Sequence, residues 1–464
     1  MLAGCGDSGG EGGAGEGEPP ATPSIAISDL EACPRPIPEE LRCGHLEVPL
    51  ERADPGRGTI SVRFAVRPRN DPGRPERNPI MAVEGGPGYG SIGSARGYVD
   101  LFGDLLDDRD LILVDMRGTG DSSAIDCRDL QRGIGPDNLA LAGCARQLGE
   151  DFESYRTSAA ADDLNDVREA LGHGTISLYG DSYGTFLAQS YAFRHPESLE
   201  SLTLDSAYPV RGESGWYPSI WKSGIRGLTI ACDRSPECPP GADERLAEMV
   251  GTLRAEGLGV GPLIDAIGSA GYSPPRSFLH IDKVIEQYLD GRRRPYERLA
   301  KAGRVGYGDP ARYSFGQELT ISCNDYPMIW DKELSEDERR AQLEERIDAY
   351  PEDAFAPFTP REIALTPEFG YLECLSWPPP GPNYEPPAEE TGPAPDVPTL
   401  VVAGELDNVT SPQEGRLVAE DFPDSELFVG RNSGHVYSLY DPASPEAKRI
   451  RRFIRDPGSG AEGG

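Results

Sequence analysis

The sequence lacks long hydrophobic runs and is poor in basic residues. No stretch of its 464 residues approaches 18 consecutive apolar residues, so no membrane-spanning helix is predicted. It has 45 Lys and Arg residues against 78 Asp and Glu residues, a formal net charge of −33. A field of that sign repels nucleic acid and anionic lipid, whereas it can attract cationic ligands such as peptide amino termini. We therefore expect an acidic, well-solvated protein that does not bind nucleic acid.

Metal-binding patterns are also missing. The chain has no Cys-x-x-Cys pair, and none of its five histidines clusters with cysteine. Structural zinc sites need such spacings, so we expect neither a metal nor another cofactor. No internal repeat is visible, which argues against a repeat architecture.

The cysteines indicate disulfides. Cys5 stands apart, and the other eight form couples of near neighbours along the chain. Eight cysteines allow 105 pairings, but an even number at short spacings favours disulfides and hence an oxidising compartment. The expected pairs are Cys33–Cys43, Cys127–Cys144, Cys232–Cys238 and Cys323–Cys374.

The amino-terminal segment indicates export. The sequence "LAGC" resembles a lipobox, in which the cysteine becomes lipidated, but the charged and apolar regions that should precede it are missing. We therefore expect a truncated start and lipidation of Cys5. Residues 6–24 contain Gly, Glu, Pro and Ser without core-forming residues, which is typical of a flexible linker. This region, 1–24, would tether an exported domain to a membrane surface, or precede a secreted one.

Residues 25–209 have the pattern of an α/β core. Alternating apolar residues around a Pro-Gly turn predict an antiparallel hairpin over about 45–68. Short apolar strands then alternate with helices, among them a helix over 157–171 with Thr157 as its expected N-cap. Strands that alternate with helices indicate a doubly wound, mostly parallel sheet.

The alternation stops over residues 210–390. This region contains helical stretches and then the proline-rich run "WPPPGPNYEPPAEETGPAPDVP". The α/β pattern resumes over 391–456 with "TLVVAGELD" and "ELFVG", and a Gly-rich tail follows at 457–464. We expect residues 210–390 to form a helical cap over the carboxyl edge of the sheet.

The segment "LYGDSYGTF" predicts a nucleophilic serine. It fits G-x-S-x-G around Ser182, with a predicted strand before it and a predicted helix after it. This strand–turn–helix is the nucleophile elbow of the α/β-hydrolase fold, and Gly180 and Gly184 supply the small residues that so tight a turn needs. The predicted fold is therefore an α/β hydrolase with an inserted helical cap.

A base and an acid should follow the serine along the chain. Of the five histidines only His435, in "GRNSGHVYS", follows the last core strands. Asp407 ends the strand "TLVVAGELD" and is the expected acid, with Glu405 and Asp205 as competitors.

The tetrahedral intermediate of such a reaction needs two backbone N–H donors. Tyr183, directly after the serine, should supply one, and the glycine cluster "EGGPG" should supply the other through Gly86.

The chain resembles the proline iminopeptidase and tripeptidyl aminopeptidase family of α/β-hydrolase serine peptidases, especially its exported actinobacterial branch. The resemblance spans about 30–455 and rests on "EGGPG", "DMRGTGDSS", "YGDSYGTFLAQSYAFRHPESLESLTLDS", "ISCNDYP", "CLSWP", "GELDNVTSP" and "SGH". It implies release of single residues or short peptides from free amino termini, by a triad that matches Ser182, Asp407 and His435. The chain departs from the family at Glu84, where a histidine is usual, and at Ser411, which separates Thr410 from Pro412.

An aminopeptidase must bind a charged amine, which calls for a carboxylate. Glu84 and Asp325 are the candidates, and a structural role is the alternative for each. The predicted function is an exported serine aminopeptidase acting on peptides with free amino termini. A carboxylesterase or lipase is the first alternative, and a non-catalytic surface binding protein on the same fold is the second.

Overall fold

The computed structural model describes residues 23–34, 36–134, 137–212, 218–300, 308–366, 372–389 and 391–458. Cys5 and the linker before residue 23 lie outside them. In the described part, the chain forms one sheet in the order β1-β2-β3-β5-β4-β6-β7-β8-β9. Its strands are β1 Glu31–Ala32, β2 Arg42–Pro49, β3 Thr59–Arg67, β4 Ile80–Val83, β5 Leu111–Val114, β6 Ile176–Asp181, β7 Leu199–Asp205, β8 Thr399–Gly404 and β9 Ser425–Gly430.

One edge of the sheet is antiparallel. The alternating residues of β2 and β3 pair antiparallel around the Pro-Gly turn, with Cys43 opposite Ala65, so the predicted hairpin is confirmed. Strand β5 also runs antiparallel to β3. One side of each hairpin strand faces the core while the other faces water, and this produces the alternation in the sequence.

The other strands run parallel, from β5 through β4 and β6 to β9. The chain passes from β4 to β5 on one side and then returns to β6 on the other side of β4. Such a change of direction opens a crevice at the carboxyl ends of the strands. The loops after β4, β6, β8 and β9 therefore meet at one edge.

Helices cover both faces of the sheet. Helix α4 (Thr157–Ala170) and α5 (Tyr183–Arg194) pack on one face, and α1 (Ala95–Phe102) packs with the carboxyl-terminal helix on the other. The remaining helices of this core are α2 Arg128–Gln131, α3 Asp137–Leu148, α14 Pro412–Asp421, α15 Tyr437–Tyr440 and α16 Pro445–Arg455.

The expected N-cap of α4 is wrong by one residue. Arg156 holds the extended backbone of the cap position, and Thr157 is the first helical residue. The hydroxyl and N–H of Thr157 instead donate to Asp325 of the inserted region, each over 2.6 Å. The Asp325 carboxylate, which is distant in the sequence, has replaced a local N-cap contact of Thr157. No local sequence pattern could indicate this long-range contact.

The region between β7 and β8 is helical and has its own hydrophobic core, built around residues such as Leu246, Met249, Ile264 and Phe278. Its described helices are α6 Pro218–Asp233, α7 Ala242–Ala255, α8 Gly261–Gly268, α9 Arg276–Leu289, α10 Arg294–Ala300, α11 Phe315–Asp325, α12 Glu336–Ala349 and α13 Pro360–Ala364. None of the helices described here combines the length and apolarity that crossing a membrane requires.

A strap, which we define as the described residues of 378–398, leads from these helices back to the sheet. It contacts the core on the way: Ser158 of α4 donates to the carbonyl of Glu385 over 2.8 Å, and Ser190 of α5 donates to the carbonyl of Pro387 over 2.6 Å. The hydroxyl of Tyr384 also donates to the carbonyl of Asn324 in α11, over 2.9 Å. The proline-rich run is thus bound to both the core and the inserted helices.

The structure contains all four expected disulfides. Cys33–Cys43 fixes the first strand to the second, and Cys127–Cys144 joins α3 to the residue before α2. Cys232–Cys238 closes the end of α6. Cys323–Cys374 spans 51 residues and ties α11 to a 3₁₀ turn that precedes the strap.

We expect the Cys323–Cys374 bridge to stabilise the fold most, because it closes the longest loop. Replacing both cysteines with serine should lower the free energy of unfolding by about 4 kcal/mol, against about 3 kcal/mol for the same change at Cys33 and Cys43. Urea denaturation of the two double variants checks this. A larger loss for the shorter loop would contradict the ranking.

Candidate active site

Ser182 lies on a sharp turn between β6 and α5. Its backbone has φ +52°, a left-handed conformation that non-glycine residues seldom adopt. A Cβ on Gly180 would overlap the carbonyl of Gly184, and one on Gly184 would overlap the carbonyl of Val83. Both glycines are therefore needed for the turn to pack against β4. The local strain is held by close packing, as is common at functional sites.

His435 and Asp407 meet Ser182 at this edge. The Nε2 atom of His435 is 2.9 Å from the Ser182 hydroxyl, and its Nδ1 atom is 3.0 Å from Asp407 Oδ2. His435 is 5% exposed and Asp407 is 1% exposed. The three side chains form a continuous hydrogen-bonded row, which is the geometry by which a base activates a serine and an acid orients that base.

The loop after β8 fixes the Asp407 carboxylate. Its Oδ1 atom accepts from the backbone N–H groups of Val409 and Thr410 over 2.9 and 3.0 Å, and its Oδ2 atom accepts from the Thr410 hydroxyl over 3.0 Å. These three hydrogen bonds hold the carboxyl group in one orientation beside His435.

The two competing acids have other partners. Glu405 bonds Arg234 in the inserted region at 2.7 Å, and this charged hydrogen bond lowers the pKa of Glu405 to about 2. Asp205 accepts from the Tyr179 hydroxyl over 3.0 Å and is also hydrogen-bonded to Ser438. Burial raises the pKa of Asp205 to about 6. Asp407 is the acid that the structure places in contact with His435.

The glycine loop after β4 lies against the serine. A Cβ on Gly85 would stand 2.7 Å from the Ser182 Cβ, so only glycine permits this approach. Gly86 follows with φ +117°. Tyr183 is the first residue of α5, where an N–H has no acceptor within its own helix. The loop and the start of the helix therefore flank the serine, where the predicted anion hole requires them.

Glu84 forms a cluster below this loop. The Tyr98 hydroxyl is 3.0 Å from Glu84 Oε2 and 2.7 Å from Asp181 Oδ1, and the Asp181 carboxyl also accepts from the N–H of Gly85. Burial raises the pKa of Glu84 and of Asp181, and the charge of Glu84 raises the pKa of Asp181 further. Because one hydroxyl cannot donate to both acids at once, a proton held by one of them completes the cluster.

Asp325 is buried among side chains of α4 and the strap. It is 4% exposed, and its two oxygens accept from Thr157 at 2.6 Å and from Tyr384 at 3.2 Å. With both oxygens engaged, this carboxylate connects α11, α4 and the strap. The geometry supports the structural alternative and not an amine-binding role.

Several aromatic residues of the site were missed from the sequence. Tyr272, from the inserted region, meets the His435 ring edge-on with 5.1 Å between centroids. Tyr89 of the glycine loop meets Tyr313 of the inserted region at 4.5 Å. The Tyr313 hydroxyl donates to Glu318 over 2.7 Å. No motif signals these residues, because they come from the part of the chain without a recognisable pattern.

The amino-acid sequence is similar to those of known hydrolases and peptidases. The family described as "alpha/beta hydrolase fold" matches residues 78–221, and the family described as "TAP-like protein" matches residues 367–463. Serine protease Hip1 of Mycobacterium tuberculosis is 25% identical over 435 residues, covering 82% of this chain and 78% of the protease. Tripeptidyl aminopeptidase of Streptomyces lividans is 28% identical over 206 residues, covering 39% of this chain and 38% of that enzyme.

The proline iminopeptidase of Neisseria gonorrhoeae is 27% identical over 166 residues, covering 33% of this chain and 44% of that enzyme. The chain therefore has the α/β-hydrolase fold, and it is an enzyme of the serine hydrolase class. The resemblance to peptidases of the proline iminopeptidase and tripeptidyl aminopeptidase kind is confirmed.

Glu414, at the start of α14, gives a prediction about pH. Burial, together with the charge of nearby Asp407, raises its pKa from 4.5 to about 8. The unfolded chain releases this proton near pH 4.5, whereas the folded chain holds it until about pH 8. The free energy of unfolding therefore falls as the pH rises from 4.5 to about 8, by at most about 1.4 kcal/mol per pH unit. Glu414→Gln should flatten that fall.

Thermal or urea unfolding at pH 5, 6, 7 and 8 measures the effect. The amide keeps an oxygen that can accept from the Ser411 N–H, so the helix cap is retained. Glu197→Gln, an exposed position, is the matched control and should keep the wild-type slope. Identical slopes for Glu414→Gln and wild type would contradict the prediction.

Proposed function

We propose that the protein is a serine aminopeptidase in which Ser182 is the nucleophile, His435 the general base and Asp407 the acid that orients it. The hydrogen-bonded row of 2.9 and 3.0 Å carries this proposal. It is supported by the relatives named as a serine protease, a tripeptidyl aminopeptidase and a proline iminopeptidase.

The reaction proceeds through an acyl-enzyme. The Ser182 oxygen attacks the carbonyl carbon while His435 Nε2 takes the hydroxyl proton. The N–H groups of Gly86 and Tyr183 stabilise the oxyanion of the tetrahedral intermediate. The protonated His435 then donates to the departing amine, the C–N bond breaks, and a water activated by the same imidazole hydrolyses the ester. Asp407 remains ionised throughout and stabilises the imidazolium.

Two carboxylates are placed to bind the substrate amine. Glu84 and Glu318 both raise the pKa of Tyr89 through their charge, after burial as the larger cause, so both lie near this residue of the glycine loop. Glu318 is partly exposed and is oriented by Tyr313, which contacts Tyr89. A pair of acids on this side favours a cationic amino terminus over a blocked one.

The four disulfides support the prediction that the protein is exported. Four disulfides indicate an oxidising compartment. We propose that the protein acts outside the cytoplasm, where lipidation of Cys5 would attach it to a membrane surface and residues 6–24 would space it from that surface.

The nucleophile is tested by Ser182→Ala. Turnover of peptide p-nitroanilides should fall by about 10⁶-fold, because no other group on the turn can form the acyl-enzyme. Labelling of the protein by a fluorophosphonate should disappear, while circular dichroism stays that of wild type. A variant that retains more than about 1% of the activity would place the nucleophile elsewhere.

The acid is tested by Asp407→Asn, which should lower kcat by about 10⁴-fold because the imidazole loses its orienting charge. Glu405→Gln is the matched control, since it removes the neighbouring acid that pairs with Arg234 outside the site. Equal losses in the two variants would contradict the assignment of Asp407.

Amine recognition is tested with substrates that differ only in a free or an acetylated amino terminus. Wild type should prefer the free amine by at least about tenfold in kcat/KM, and Glu318→Gln should reduce that preference mainly through KM. Activity confined to p-nitrophenyl esters, with none on peptide amides, would favour the carboxylesterase alternative.

A further inference from the structure

A cavity opens beside His435, the proposed base. It has a volume of about 830 Å³ and is formed by the start of α9, the loop before it and α15. This is within the range of pockets that hold a ligand of several residues. We call it the α9 groove, and its lining residues are Glu237, Tyr272, Ser273, Pro274, Pro275, Arg276, Leu279, His280, Lys283, Tyr437 and Tyr440.

The α9 groove adjoins the candidate active site. Tyr272 lines it and also meets the His435 ring, with 5.1 Å between centroids. The N–H of His435 donates to the carbonyl of Gly271 over 2.8 Å, so the loop that leads into the groove is fixed to the catalytic loop. Tyr437, two residues after the base, forms the opposite wall.

The charge of the groove is opposite to that of the protein. Arg276, His280 and Lys283 are spaced four and three residues apart on α9, so they lie on one face of that helix. Acids outnumber bases 78 to 45 in the chain, yet the lining contains these three residues and a single carboxylate, Glu237. The groove is therefore a basic patch on an acidic protein.

These side chains do not serve the fold as ion pairs. Among the described residues, no salt bridge or side-chain hydrogen bond engages Arg276, His280 or Lys283, and all three are exposed. Arg276 and Lys283 both carry a positive charge and lie seven residues apart, about two turns, on the same face of α9. Both cations are therefore available to a bound anion.

The position of the groove decides which part of a substrate it meets. The groove borders the base that protonates the departing amine, because its residue Tyr272 contacts the His435 ring. We therefore assign the groove to the departing part of the substrate. In this orientation the amino end of the peptide faces Glu84 and Glu318, the acids proposed above to bind the amine.

We propose that the α9 groove is a leaving-group subsite that binds a carboxylate of the departing peptide, with Arg276 and Lys283 as its cationic groups. This rests on the proposed peptidase function and adds to it a preference for acidic leaving segments. The carboxylate is either an acidic side chain or the carboxyl terminus of a short departing peptide. Binding of the terminus requires a short departing peptide, whereas binding of a side chain does not.

The test uses four peptides that share one amino-terminal part, chosen from the products that wild type releases best from a mixed pool. Their departing parts are an alanine amide, a glutamate amide, a lysine amide and an alanine with a free carboxyl terminus. Wild type should cleave the glutamate or the free-carboxyl peptide about three- to tenfold faster in kcat/KM than the alanine amide, the size expected of two exposed ion pairs.

The double variant R276Q/K283Q should bring this ratio close to one, and R276K/K283R should retain it. The matched control R77Q/K448Q removes the same charges from exposed positions outside the groove and should keep the wild-type ratio. The wild-type preference should also weaken as salt is raised from 50 to 500 mM, because the pairs are solvent-accessible.

Each result separates the subsite from the peptidase proposal. Wild type that cleaves none of the peptides overturns the peptidase function itself. Wild type that cleaves all four at similar rates, or a ratio unchanged in R276Q/K283Q, overturns the subsite while leaving the peptidase intact. Faster cleavage of the lysine peptide would assign the opposite charge preference to the groove and would also overturn the proposal.

Discussion

The candidate active site depends on a hydrogen bond between His435 and Ser182, two residues 253 positions apart in the chain. That bond forms only if the loops after β6 and β9 reach the same point. Glycines make the approach feasible: a Cβ on Gly404 would overlap the carbonyl of Gly434, and one on Gly434 would overlap the carbonyl of Gly271. The core and the inserted helices both contact the loop of the base, so its position is set by the whole fold.

The parts predictable from sequence were those with local signatures. The tight turn at Ser182 requires glycines at fixed offsets, and the acid must end a buried strand, so Ser182 and Asp407 could be found by pattern. The hairpin and the parallel core were equally visible, because strand burial imposes a regular apolar pattern. The disulfide couples followed from pairing each cysteine with its neighbour along the chain, although Cys323 and Cys374 are 51 residues apart.

Other features depend on contacts between distant segments, which no local pattern records. The N-cap of α4 moved because Asp325 offered a tertiary acceptor to Thr157. For the same reason Asp325 itself, taken as an amine ligand, became a buried connection between segments. Tyr272 and Glu318 come from the inserted helices, where the residues that reach the cleft share no spacing. The sequence composition likewise could not show that a basic groove is set within so acidic a chain.

Several buried acids lie near the site. Asp181, Asp205 and Glu414 are all buried, and burial raises the pKa of each. A protonated carboxyl group can donate a hydrogen bond as well as accept one, so a raised pKa allows an acid to connect buried segments. Asp407 differs from them, because its carboxyl group accepts from two backbone N–H groups and from the Thr410 hydroxyl.

The strap has a consequence for how substrates enter. It is bound to α4, α5 and α11, so the inserted helices are attached to the core at the far end of the insertion as well as at its start. An attachment at both ends opposes a hinge-like swing of the cap. In the peptidase proposed above, a cap held in this way would favour substrates that thread into the cleft, such as oligopeptides and frayed chain ends, over compact domains. Such a selectivity would arise from architecture rather than from recognition of particular residues.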